Sequence, residues 1–158
     1  DRVLINDGSG SFTDSGQRLG ESDSTAVALG DVDGDGDLDA LVGTEEGALV
    51  WLNQGGTFAP SEQEISGGQT RAVFLADLNG DGDLDALVAG RRRAVIWWND
   101  GQAAFTRSSQ RFRYSKRHGI AIGDFNADGR LDVFAGRYSE NFRVWFNQGD
   151  GIFRFTPF

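Results

Sequence analysis

The chain has 158 residues, 39% of them apolar, enough for one ordinary domain with a core. Its net charge of −9 argues against nucleic acid as a partner, and no run of about 20 apolar residues is present to insert into a membrane. There is no Cys and hence no disulfide framework, and with 23 Gly and no sustained helical apolar period the expected class is all-β.

The chain opens on Val3-Leu4-Ile5-Asn6, then Asp7-Gly8 and Phe12. The same pattern returns as Val50-Trp51-Leu52-Asn53 before Phe58, Ile96-Trp97-Trp98-Asn99 before Phe105, and Val144-Trp145-Phe146-Asn147 before Phe153. The intervening Asn53-Gln54-Gly55, Asn99-Asp100-Gly101 and Asn147-Gln148-Gly149 are hairpin turns in their chemistry. A chain beginning at Asp1 with no initiator Met is expected to be processed or cut from a longer one.

Next comes Asp31-Val32-Asp33-Gly34-Asp35-Gly36-Asp37-Leu38-Asp39, with carboxylates at loop positions 1, 3, 5, 7 and 9. Two like charges about 4 Å apart repel by roughly 4 kcal/mol at an effective dielectric near 20, so carboxylates curled around one point call for a cation. Oxygen-only donors at this density select a hard ion, and calcium suits them better than magnesium because it accepts more ligands in looser geometry. Glycines at positions 4 and 6 permit the positive backbone angles such a loop needs. The loop returns as Asp77-Leu78-Asn79-Gly80-Asp81-Gly82-Asp83-Leu84-Asp85 and as Asp124-Phe125-Asn126-Ala127-Asp128-Gly129-Arg130-Leu131-Asp132. Position 7 is Asp37, Asp83 or Arg130, so any ligand it offers in common is its main-chain carbonyl. The leucine at position 8 (Leu38, Leu84, Leu131) is expected to anchor each loop against a core. An EF-hand is excluded, because position 12 is Val42, Val88 or Ala135 rather than Glu and the flanks are short strands, not helices.

Asp31 to Asp77 is 46 residues and Asp77 to Asp124 is 47, the beat of a repeat of four strands. The first strand enters the loop, the second leaves it, the third ends in Asn, and the fourth starts at Phe. Units of this length are β-propeller blades, and the unbroken apolar runs of the third strands fit sheets buried on both faces. The expected division is a half blade at 1–20 and blades at 21–66, 67–113 and 114–158. Propellers usually need about 4 to 8 blades, so further blades from the same parent chain or from other chains are expected to complete the ring, covering the Val3 to Asn6 edge.

The repeats resemble FG-GAP or VCBS repeats, the calcium-loop blades of integrin α subunits and of many secreted bacterial proteins. The resemblance implies three calcium sites. It places the ligands on Asp31, Asp33, Asp35, Asp37 through its carbonyl, and Asp39, and on the counterparts Asp77, Asn79, Asp81, Asp83, Asp85, Asp124, Asn126, Asp128, Arg130 and Asp132. Twelve of the 24 acids lie in the loops, and three calcium ions would bring −9 to −3. Loops of this kind fill where calcium is abundant, which points to an extracellular or periplasmic setting.

Outside the loops, Arg91-Arg92-Arg93 and Arg107, Arg111, Arg113, Lys116, Arg117 form two basic groups. They read as solvated loops or as a site for an anionic ligand. Trp51, Trp97, Trp98 and Trp145 read as blade core rather than a sugar platform. His118 is the one histidine and has no evident partner for catalysis. No phosphate loop and no nucleophile motif is present. The expected function is therefore a non-enzymatic interaction module with structural calcium and a protein or glycan partner. The alternative is the propeller portion of a secreted polysaccharide-degrading enzyme, a lyase or hydrolase, with its active site elsewhere.

Overall fold

The computed structural model describes residues 1–66, 68–114, 119–136 and 142–156. Lys116, Arg117 and His118 lie outside the described residues. Among the described residues every element is a strand, and no helix is long and apolar enough to cross a membrane.

A two-stranded ribbon, β1 (Arg2–Asn6) with β2 (Phe12–Arg18), precedes three four-stranded antiparallel sheets. The first is β3 (Ser24–Gly30), β4 (Asp39–Thr44), β5 (Gly47–Gln54) and β6 (Thr57–Ser66). The second is β7 (Thr70–Ala76), β8 (Asp85–Gly90), β9 (Arg93–Asn99) and β10 (Phe105–Arg113). The third is β11 (Ile120–Gly123), β12 (Asp132–Ala135), β13 (Arg143–Asn147) and β14 (Phe153–Phe155). In each sheet sequence neighbours are spatial neighbours, as in a propeller blade.

The core lies between blades. Leu41, Val50 and Ile65 of the first sheet meet Val73, Val88 and Trp97 of the second. The opposite face of the second, with Leu87, Ile96 and Phe112, meets Val133, Trp145 and Phe153 of the third. Alternate residues of β9 thus serve two different cores, which is why this strand is apolar at successive positions. Trp51, Trp97 and Trp145 are all buried.

The joints repeat a side-chain clamp. Gln63 of the first blade accepts from Phe105 N at 3.1 Å and donates to the Phe105 carbonyl at 2.9 Å. Gln17 does the same one blade earlier, accepting from Phe58 N and donating to the Gly56 carbonyl, both at 2.8 Å. Gln110 accepts from Phe153 N at 2.9 Å and donates to the Gly151 carbonyl. Each clamp fixes the start of an outer strand to the preceding blade.

One expectation is corrected. Leu84 and Leu131 pack against the inter-blade cores, but Leu38 is 56% exposed. It shares with Val27 and Leu29 a face of the first blade that the two-stranded ribbon does not cover, so all three stay exposed. On the ribbon, Leu4, Ile5 and Phe12 are exposed as well.

Candidate metal centres

Each loop joins the first strand of a blade to the second, and its last aspartate is the first residue of that second strand. Asp39, Asp85 and Asp132 are fully buried. Asp39 accepts from Val32 N at 2.9 Å and from Asn53 N at 2.8 Å, one bond to each oxygen. Asp85 accepts from Leu78 N at 3.0 Å and Asn99 N at 2.9 Å, and Asp132 from Phe125 N at 3.0 Å and Asn147 N at 2.8 Å. The ninth position thus ties the loop to the end of the third strand. Burial pushes the Asp85 carboxyl up to about 6, against the two backbone donors, and Asp81 and Asp77 push the same way.

The first position organises the turn. Asp31 accepts from Gly34 N at 2.8 Å and Gly36 N at 3.0 Å, and Asp77 repeats this with Gly80 and Gly82. Gly34 and Gly36 have φ of 77° and 93°, as do their counterparts within about 20°. In the third loop Ala127 occupies this left-handed region at 61°, where its Cβ crowds the backbone. With these turns in place, carboxylate oxygens of Asp31, Asp33 and Asp39 all lie within 4.8 Å of one another. Desolvation, and then the neighbouring Asp39, Asp35 and Asp31, raise the Asp33 carboxyl. Asp35 is exposed and stands outside this group, with Oδ1 accepting from Asp37 N at 2.8 Å. The donors fit a hard cation: they are all oxygens, of like charge, and partly withdrawn from water.

Position 7 has a role that sequence reading missed. Asp37 accepts from Gly55 N at 2.7 Å, and Asp83 lies directly against Gly101. In the third loop Arg130 Nε donates to the Asn147 carbonyl at 3.0 Å. Acid and base alike reach the turn between the third and fourth strands, because that turn offers both amides and carbonyls. Arg130 also pairs with Asp128, Nη2 to Oδ2 at 2.6 Å, placing a positive charge inside the third loop. Backbone donation from Arg130, then the Asn126 side chain and Arg130 itself, hold the Asp128 carboxyl below the usual range.

Asn53, Asn99 and Asn147 also do more than turn the chain. Asn99 Nδ2 donates to the Leu84 carbonyl of its own loop at 3.2 Å and to the Val32 carbonyl of the preceding loop at 2.8 Å. Asn147 bridges Leu131 and Leu78 in the same way. Asn53 donates to the Leu38 carbonyl of its own loop and accepts from Gly56 N, with no bridge to a preceding loop among the described residues. The glutamines were also missed, although Phe12/Gln17, Phe58/Gln63 and Phe105/Gln110 keep one spacing in the sequence.

A family model described as an FG-GAP-like repeat matches residues 1–42, 31–88, 77–135 and 124–157. The chain belongs to the FG-GAP-like repeat family. The matches follow one another along the chain, each except the last running past the loop where the next begins. A search of curated proteins finds no significant match. Among solved structures this FG-GAP-like chain is similar to a lectin of Agrocybe aegerita, described as specifically recognising non-reducing terminal N-acetylglucosamine. The identity is 27% over 97% of this chain, with a TM-score of 0.66. The chain spans 44% of the length of that lectin.

Proposed function

We propose that this FG-GAP-like segment is a calcium-binding β-propeller module that presents its loops to a glycan or protein partner, with calcium acting structurally. The observation that carries the reading is the convergence of Asp31, Asp33 and Asp39 within 4.8 Å at a loop that is repeated twice more. Asp77, Asn79, Asp81 and Asp85, and Asp124, Asn126, Asp128 and Asp132, would hold the second and third ions, with the main-chain oxygens of Asp37, Asp83 and Arg130 contributing. Calcium supplies the charge that neutralises the loops and lets the buried Asp85 carboxylate stay ionised. Similarity to the lectin supports the glycan half of the reading. No catalytic residue is assigned, since the distinctive carboxylates are engaged in the loops, and the calcium requirement favours an extracellular or periplasmic setting. Titration calorimetry tests the proposal: two or three calcium ions should bind at millimolar or lower concentration, and chelation should lower the melting temperature. Fewer than two sites would sink it.

A further inference from the structure

The outer edge of the second blade carries a row of arginines on one face. Arg113 is the register partner of Arg93, Arg111 of Val95 and Arg107 of Trp97, so the four arginine positions lie on the side of β9 and β10 that carries Val95 and Trp97. All four arginines are exposed, and the Arg107 guanidinium lies over the Trp97 ring at 5.9 Å from its centroid. Arg91 and Arg92 extend the row into the exposed hairpin between β8 and β9. A shallow cleft beside them is lined by Gly68, Val88, Arg93, Trp97 and Arg107.

The fold does not call for these charges. At the matching register positions the first blade has Gly47, Ser66, Glu64 and Pro60, while the Gln clamp is common to both blades as Gln63 and Gln110. Like charges placed directly opposite each other, as Arg93 and Arg113 are, destabilise a sheet. The ion pairs among the described residues are Arg2–Asp14, Arg18–Asp14 and Arg130–Asp128, so no described carboxylate is ion-paired with the row.

The geometry points to a binding site for an anionic polysaccharide, carrying sulfate or uronate carboxylate groups, along Arg93, Arg107, Arg111 and Arg113. It takes its ligand class from the glycan half of the reading above and its charge from the arginines. A guanidinium grips sulfate or carboxylate through two parallel N–H bonds. Residues on one face of a strand repeat at about 7 Å, so the row offers spaced forks to a linear chain. A nucleic-acid duplex is a poorer match, because the row is a single blade edge on a molecule of net charge −9.

The test uses the intact chain in calcium, titrated with a heparin-derived hexasaccharide, an oligogalacturonate of the same length, a neutral chitin hexamer, a polyglutamate peptide and a short DNA duplex. Binding of one or both anionic oligosaccharides above the others is expected, weakening with salt. Arg107→Ser with Arg111→Ser should lower the affinity at least about tenfold at an unchanged melting temperature, and the paired Lys substitutions should recover it only in part. In the unmodified chain, NMR signals of the Nε groups of these four arginines should shift on titration, which locates the site even if a variant folds poorly. Equal binding of the neutral hexamer, tighter binding of the peptide or the duplex, or anionic binding that leaves the four Nε signals in place would overturn the proposal. The neutral arm separates this outcome from loss of glycan binding in general.

Discussion

Asn99 and Val32 are joined across the first blade interface, Nδ2 of the asparagine donating to the valine carbonyl at 2.8 Å. The same carbonyl accepts from Ala103 N at 3.0 Å, so one peptide group of the first loop is held by two donors of the next blade. Loop and interface are therefore one structural unit, and damage to either should be felt in the other.

Asn99→Ala leaves the buried Val32 carbonyl and the partly buried Leu84 carbonyl each short of a donor. A loss of about 2 kcal/mol is expected in urea unfolding. Asn53→Ala removes only solvent-exposed bonds, the donation to the Leu38 carbonyl and the acceptance from Gly56 N, and should cost less than half as much. Equal losses would mean that the bridge to the preceding loop contributes nothing.

Positions 3 and 7 of the first loop separate ligation from packing. Asp33→Ala should weaken calcium binding by calorimetry, and with it the stabilisation that calcium confers, which reaches about 2.7 kcal/mol per site at 100 times the dissociation constant. Asp37→Ala breaks the bond to Gly55 N, so it should lower stability by a similar amount with calcium and with chelator while affinity stays the same. A drop in affinity for Asp37→Ala would give its carboxylate a ligand role.

The third loop carries its own cation. Arg130→Asp removes the pair with Asp128 and restores the acid that the other loops carry at position 7, so calcium affinity at this site should rise about tenfold or more. Ala127→Gly in the same loop relieves a left-handed residue and should add about 1 kcal/mol of stability. An unchanged third-site affinity in the Arg130 variant would show that the guanidinium leaves the cage when calcium enters.

Repetition made the blades and loops legible. Loop glycines at positions 4 and 6 do adopt positive φ, and the Trp strands do bury both faces, because these properties follow from local sequence and from any blade-on-blade packing. The Gln clamp was visible as a constant Phe-to-Gln spacing, but its meaning lies in a contact some 40 residues away that spacing cannot show. Position 7 was obscured for the opposite reason: Asp37 and Arg130 look unrelated in charge and yet reach the same turn through different partners. Leu38 went astray because its repeat position promised burial that depends on what lies against that blade.

That last case gives the sharpest comparison of equivalent positions. Leu38 and Leu84 occupy the same place in successive loops, one 56% exposed and the other packed against the inter-blade core beneath Gly30. Truncating Leu84 to Ala opens space at that joint and should cost about 2 kcal/mol, toward the lower end for leucine because it is only partly buried. Leu38→Ala should cost under about 0.5 kcal/mol, as surface changes do. Chemical denaturation of the two variants at low protein concentration checks this. A Leu38 loss as large as that of Leu84 would show that the Val27, Leu29 and Leu38 face is covered in solution by a surface from another molecule, and analytical ultracentrifugation would then report an assembly larger than one chain.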